Sequence, residues 1–266
     1  MMTENLNDRL LWDADDGVVR ITLARPDRGN ALDLAMARAF REATERVRVG
    51  AARGELRVVV LDAQGKLFCV GGDLEEFVDA DDRSANIVET ADELHAGIEI
   101  LHTVPVPVVS VIQGSAAGGG LGIALTGDIV LASAEAKLRV AYSAAGLSPD
   151  CGTTWVLARR LGTARALDLA LTNRFLTADE AQAWGLISRS VPADALAATA
   201  AEVIDTLRTG STPAQAAIKN LMTSADETSL RIQLQREAAT IGRIVDGDDA
   251  VEGMTAFLEK RVPRFA

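Results

Sequence analysis

Two glycine-rich segments stand out for what their backbone can do: Phe68-Cys69-Val70-Gly71-Gly72-Asp73 and Gly114-Ser115-Ala116-Ala117-Gly118-Gly119-Gly120-Leu121-Gly122. Each follows an apolar run of strand character and opens a helix-like stretch, so each presents backbone N–H groups that the coming helix leaves unpaired. Glycine lets a ligand approach those donors closely. Two such turns can hold one oxygen atom between them, the arrangement needed when a carbonyl group accepts negative charge during reaction. The commoner glycine signatures fail: Ile123 breaks a G-x-G-x-x-G reading of Gly118 onward, and no G-x-x-x-x-G-K-[ST] occurs. Ser115 does not sit in a G-x-S-x-G elbow, and both histidines, His95 and His102, read as ordinary residues of a helix. Nucleotide-dependent redox chemistry, phosphoryl transfer and Ser-His-Asp hydrolysis are all disfavoured.

The elements that must position these turns follow from apolar periodicity. Val18 to Leu23 and Leu56 to Leu61 read as strands, and Leu32 to Val49 as a helix between them. A helix starts at Asp73 to Phe77, helical periodicity runs from Ile87 to Leu101, and Val104 to Ile112 is β-rich behind Pro105 and Pro107. Leu121 to Leu125 is a short helix before the strand-like Asp128 to Leu131. This alternation implies an α/β fold of ββα or βαβ units with largely parallel sheets. From Thr153 onward strands nearly vanish, apart from Ile187 to Val191, and helices are expected over Asp194 to Leu207, Pro213 to Ser224, Thr228 to Ile244 and Asp248 to Leu258. The division is therefore a core over residues 1–191 and a helical region over 192–266, packed as one unit. The stretch from Asp79 to Thr90, with its run of Asp and Ala, reads as a mobile loop.

With 266 residues and 48% hydrophobic residues, the chain has ample material for a core, while no apolar run approaches the roughly 18 to 20 residues of a membrane span. The N-terminal stretch lacks the basic and apolar regions of a targeting peptide, so a cytoplasmic location is the default expectation. A net charge of −11 repels a phosphate backbone and argues against nucleic acid as a partner. Cys69 and Cys151 are too few and too far apart for a disulfide framework or a zinc site, and no metal is expected.

Taken as an ordered set, several segments resemble the crotonase (enoyl-CoA hydratase/isomerase) superfamily across nearly the whole chain. The matching pieces are Ala24-Arg25-Pro26 with Asn30-Ala31-Leu32, Lys66 to Leu74, Gly114 to Gly120, Gly127-Asp128-Ile129-Val130, Gly146 to Gly152, Ala178 to Ala181 with Trp184-Gly185-Leu186, and Phe257 to Arg261. The resemblance implies a spiral of ββα repeats, a helical C-terminal region that makes a homotrimer or hexamer, and an acyl-CoA thioester as substrate. No cofactor is implied beyond the CoA that the substrate carries.

By the same resemblance the N–H groups of Gly72 and Gly119 form an oxyanion hole for the thioester carbonyl. Family hydratases carry two glutamates, and both are missing: the first position is Gly122, and the second falls in Val140-Ala141-Tyr142-Ser143-Ala144. One carboxylate remains in Gly146-Leu147-Ser148-Pro149-Asp150-Cys151-Gly152. Taken alone, Pro149-Asp150 is a favoured turn pair. The segment is similar, however, to the Pro-Asp-x-Gly-Gly stretch of enoyl-CoA isomerases and ring-1,2-epoxyphenylacetyl-CoA isomerases, with Thr153 in place of the second glycine. That similarity implies that Asp150 transfers the proton, near Trp155 and Tyr142. A single base suits double-bond isomerisation, whereas adding water normally takes a pair. The alternatives are a hydratase with atypical acid/base residues and a catalytically silent acyl-CoA binder. For CoA, the resemblance implies contacts near Phe68, Val70 and Leu74, with Arg25 or Arg28 near phosphates and Lys260 reaching in from a neighbouring subunit. Asp73 and Asp128 read as structural, as a helix cap and a backbone partner at a strand start.

Overall fold

The structure, a computed structural model, describes residues 3–265. In chain order its elements are β1 (Glu4–Leu6), β2 (Leu10–Asp15), β3 (Val18–Leu23), α1 (Leu34–Ala52), β4 (Val58–Ala63), α2 (Leu74–Asp79), α3 (Arg83–Thr103), β5 (Val108–Ile112), β6 (Ala116–Ala117), α4 (Gly119–Ala124), β7 (Ile129–Ser133) and β8 (Lys137–Arg139). There follow α5 (Thr153–Leu161), α6 (Thr163–Thr172), β9 (Leu176–Thr177), α7 (Ala178–Ala183), β10 (Arg189–Val191), α8 (Leu196–Arg208), α9 (Thr212–Thr223), α10 (Leu230–Ile244) and α11 (Asp248–Glu259).

Seven strands form one sheet in the order β1-β2-β3-β4-β5-β7-β10, antiparallel through β3 and parallel from β3 to β10. A second sheet, β6-β8-β9, stands on the path of the second glycine turn. The central strands are apolar without alternation because both faces are covered. Val59 and Leu61 join the main core with Phe40 of α1 and Leu94 of α3, while Val58, Val60, Val109 and Leu131 pack against Leu196, Ala200, Val203 and Ile204 of α8. Successive strand residues point to opposite faces, so one run supplies two cores. Helix α8 thus covers the far side of the sheet, while α9 lies by the end of α3 and α10 packs on α9.

The acidic N-terminus is a paired hairpin, with Asp13 opposite Arg20 across β2 and β3. Two expectations change. A two-residue strand at Leu176–Thr177 lies in the region expected to be helical. The expected mobile loop from Asp79 to Thr90 is almost entirely helix, because the Asp82 side chain accepts from the Ala85 N–H at 2.9 Å and caps α3 only three residues after α2 ends.

Candidate active site

The loop after β4 is gathered by one buried side chain. Asn30 Nδ2 donates to the carbonyls of Gln64, Leu67 and Phe68, each at 3.0 Å, while its Oδ1 accepts from the Arg25 N–H at 2.8 Å. The two glycine loops are then sewn together: the Phe68 N–H donates to Ser115 O at 3.0 Å and the Ala117 N–H to Cys69 O at 2.9 Å. At Gly71, φ is +100°, and a Cβ there would lie 3.0 Å from Ala117 O and 3.4 Å from the Gly119 nitrogen. Only glycine permits both the conformation and the contact.

Leu32 pairs with the first loop through its N–H to Gly71 O at 2.8 Å and its carbonyl to the Asp73 N–H at 3.0 Å. In a parallel bridge those bonds use the groups either side of Gly72, so its own N–H faces away from Leu32. Among the described residues neither the Gly72 nor the Gly119 N–H donates to a protein acceptor. Two unpaired backbone donors are the kind of group from which an oxyanion hole is made.

Asp150 arrives from the turn before α5. A methyl group placed on Gly119 would lie 3.6 Å from Asp150 Oδ1, 3.1 Å from Cys151 Sγ and 3.0 Å from Leu32 Cδ1. The carboxylate therefore borders the second glycine turn. The Tyr142 hydroxyl donates to Asp150 Oδ1, and the Thr153 N–H donates to Asp150 O at 3.0 Å. Burial raises the Tyr142 hydroxyl far above its usual pKa, with the charge of Asp150 adding to it, so the phenol stays a proton donor. The Cys151 thiol is likewise pushed well above its ordinary value by burial and by Asp150. Cys69, fully buried, rises to about 12 through desolvation. Neither sulfur is a thiolate nucleophile at neutral pH.

Gly122 has no room for a side chain. A Cβ there would stand 2.3 Å from Cys151 O and 2.6 Å from Cys151 Cβ. The position at which the resemblance implies a hydratase glutamate is closed by the backbone of the Asp150 turn itself.

Asp73 and Asp128 are structural, as the sequence suggested. Asp73 caps α2 by accepting from the Glu76 N–H, and Asp128 Oδ2 accepts from the Val108 N–H at 2.8 Å. Burial alone would raise Asp73, but Arg25, the Glu76 amide and Arg28 outweigh it and hold the carboxyl below its usual value.

The residues that the resemblance places near CoA differ in their surroundings. Arg25 is spent inside the protein, on Asp73 at 2.8 Å and Asp33 at 2.9 Å. Phe68 is buried, with its N–H given to Ser115 and its carbonyl to Asn30. Val70 and Leu74 are exposed, and Arg28 is more exposed than Arg25 although it pairs with Glu75. Lys260 lies exposed at the end of α11.

The histidines are not ordinary helix residues. Both face a cavity of about 810 Å³ bounded by α3, α5 and α9, with Ile98, Leu125, Trp155, Val156, Ile218 and Met222 among its walls. This cavity adjoins the site through Gly122, Cys151 and Gly152 without including Gly72, Gly119 or Asp150 in its lining. His102 meets the Trp155 ring edge to face at 5.0 Å. Burial and then the charge of Lys219 hold its pKa below the usual value. His95 Nε2 accepts from the Cys151 N–H at 3.0 Å. The seven-residue spacing puts both histidines on one face of α3, but periodicity alone cannot say what that face meets. Lys219 of α9 bonds Asp128 and Leu101 O, at 2.8 and 2.9 Å, and so ties the C-terminal region to the end of α3.

The sequence profile of the family described as Enoyl-CoA hydratase/isomerase matches residues 13–266. The chain is 35% identical over 264 residues to the 1,2-epoxyphenylacetyl-CoA isomerase of Escherichia coli K12, covering 96% of this chain and 97% of that one. It is 30% identical over 265 residues to the trans-2-decenoyl-[acyl-carrier-protein] isomerase of Streptococcus mutans, with 96% and 97% covered. The crystal structure of an enoyl-CoA hydratase from Polaromonas sp. JS666 superposes with a TM-score of 0.89 at 32% identity, over 97% of this chain and 99% of that one.

Proposed function

Since the chain belongs to the enoyl-CoA hydratase/isomerase family, whose members need no cofactor beyond the CoA of the substrate, we propose that it is an acyl-CoA isomerase that works through a thioester enolate. In the reaction, the Asp150 carboxylate removes a proton from the carbon next to the thioester carbonyl of a 3-enoyl-CoA. The electron pair left behind spreads into a dienolate whose oxygen accepts from the Gly72 and Gly119 N–H groups. The proton on Asp150 is then delivered to the γ carbon, giving the 2-enoyl-CoA and regenerating the carboxylate. Rearrangement of an epoxyphenylacetyl-CoA is the related reaction that the same site suits. The observation that carries this reading is the pairing of a carboxylate beside Gly119 with a Gly122 that has no space for a second one.

The acyl part would enter the cavity beyond Cys151 and Gly152, and CoA would lie along exposed Val70, Leu74 and Arg28. Exposed apolar side chains on the outer helices, Leu230, Ile241, Phe257 and Leu258 among them, support assembly into a homotrimer or hexamer, and a cytoplasmic location belongs to the same proposal. None of the described helices is long and apolar enough to cross a membrane.

Mass spectrometry of 3-enoyl-CoA in heavy water tests the reaction. Wild-type protein should exchange the α proton and form the 2-enoyl product, and Asp150→Asn should do neither. Full turnover by a folded Asp150→Asn protein would end the assignment. The hydratase alternative draws on His95 as a second titratable group near Asp150, and loss of the conjugated absorbance of crotonyl-CoA would support it. Tight CoA binding with no exchange would instead indicate a silent binder.

A further inference from the structure

We propose that His95 is a positioning residue for proton transfer: its imidazole holds the turn that carries Asp150 by accepting the Cys151 N–H. The inference rests on the reading that Asp150 moves the proton. Cys151 sits at φ +50° and Gly152 at φ +69°, so two consecutive residues occupy the left-handed region that a cysteine does not favour. Such a turn keeps its shape only when surrounding bonds fix it. The Tyr142 hydroxyl bonds the Asp150 carboxylate and the Thr153 N–H bonds its carbonyl, but the peptide between Asp150 and Cys151 is held from the other side by His95 Nε2, at 3.0 Å.

The support is rigid. Helix α3 is fixed against α1 at Gly97, where a Cβ would stand 2.7 Å from the Phe40 ring, and at its C-terminal end by Lys219 on Leu101 O. One nitrogen of His95, one oxygen of Asp150 and Cys151 Sγ all lie within 4.8 Å of one another. An imidazole accepts only through an unprotonated nitrogen, so the bond assigns the proton to Nδ1. His95 therefore acts on Asp150 through the Cys151 peptide, without contact to the reacting atoms.

A misplacement of about 1 Å costs on the order of 100-fold in rate. His95→Phe, which keeps the ring size and removes the acceptor, should lower kcat for 3-enoyl-CoA isomerisation by about 10- to 100-fold, with KM within about 3-fold of the parent. His95→Gln, whose Oε1 stands where Nε2 stood, should restore most of that loss. His95→Ala, a good helix former at an exposed position, gives the same readout as the phenylalanine variant should that one melt early. Unchanged kcat in His95→Phe or His95→Ala, an equal fall in His95→Gln, or a loss carried by KM alone would each overturn the proposal. Asp150→Asn is measured alongside. Full turnover by that variant defeats the functional reading itself, whereas a dead Asp150→Asn with a fully active His95→Phe defeats this inference alone.

Discussion

Replacing Gly119 by alanine separates catalysis from folding. Gly119 is the first residue of α4 and its φ is not positive, so the backbone accepts an alanine without strain. The added methyl would meet Leu32 Cδ1 at 3.0 Å and Cys151 Sγ at 3.1 Å, both ends of side chains that can yield by a few tenths of an ångström. The stability cost should accordingly stay near the low end of about 1–3 kcal/mol for inserting a methylene-sized group into a packed site. The same methyl lies 3.6 Å from Asp150 Oδ1, on the side of Gly119 that borders the base. A substrate carbonyl pushed off that amide loses one preorganised donor, about 2.7–4 kcal/mol or 10²- to 10³-fold in kcat. Heavy-water exchange at the α carbon, read by mass spectrometry beside a thermal melt, measures both quantities. If Gly119→Ala exchanges protons at the parental rate while remaining folded, the methyl leaves the carbonyl in place and the reasoning from its displacement off the Gly119 amide fails.

The other expectations concern the walls of the site. Gly122→Glu should lower the melting temperature and fail to hydrate crotonyl-CoA, because its Cβ would strike the Cys151 carbonyl at 2.3 Å; hydration by this variant would refute the steric argument. His102 should make the fold acid-sensitive. Its folded pKa lies below the usual 6.5, so the unfolded chain takes up the proton first and stability drops as pH falls below about 6.5. His102→Leu should reduce the fall in Tm between pH 7.5 and 5.5, and an unchanged fall would contradict the linkage. Lys219→Met should lose the charged hydrogen bonds to Asp128, Leu101 and Val106, about 1.5–3 kcal/mol for a bond of this kind. Chemical denaturation measures it, and a neutral result would mean that α9 is held by packing alone.

Much of the fold was legible because its signals are local. The run from Val18 to Leu23 is strand β3 as read, and the apolar stretch ending at Leu61 is a strand buried on both faces. The N-terminal hairpin was not legible, since Asp13 and Asp15 hide its alternation and its partners supply the order. Strands β6 and β9 are two residues long, too short to carry a period. At the site, the glycine clusters announced their donors. Asn30 and His95 did not, because each acts on segments 34 or more positions away in the chain. Arg25 shows what a resemblance does not reveal: placed near phosphates by it, the side chain is paired in the fold with Asp33 and Asp73.

The clamp at Asn30 has a bearing on how such a protein ages. Its Nδ2 faces three carbonyl oxygens at once. Deamidation would change little of the shape there, yet it would set a carboxylate oxygen against three acceptors and turn those three attractions into repulsions, while the bond from the Arg25 N–H would remain. A one-atom chemical lesion, remote from any bond made or broken in turnover, would then unfasten the loop that presents Gly72.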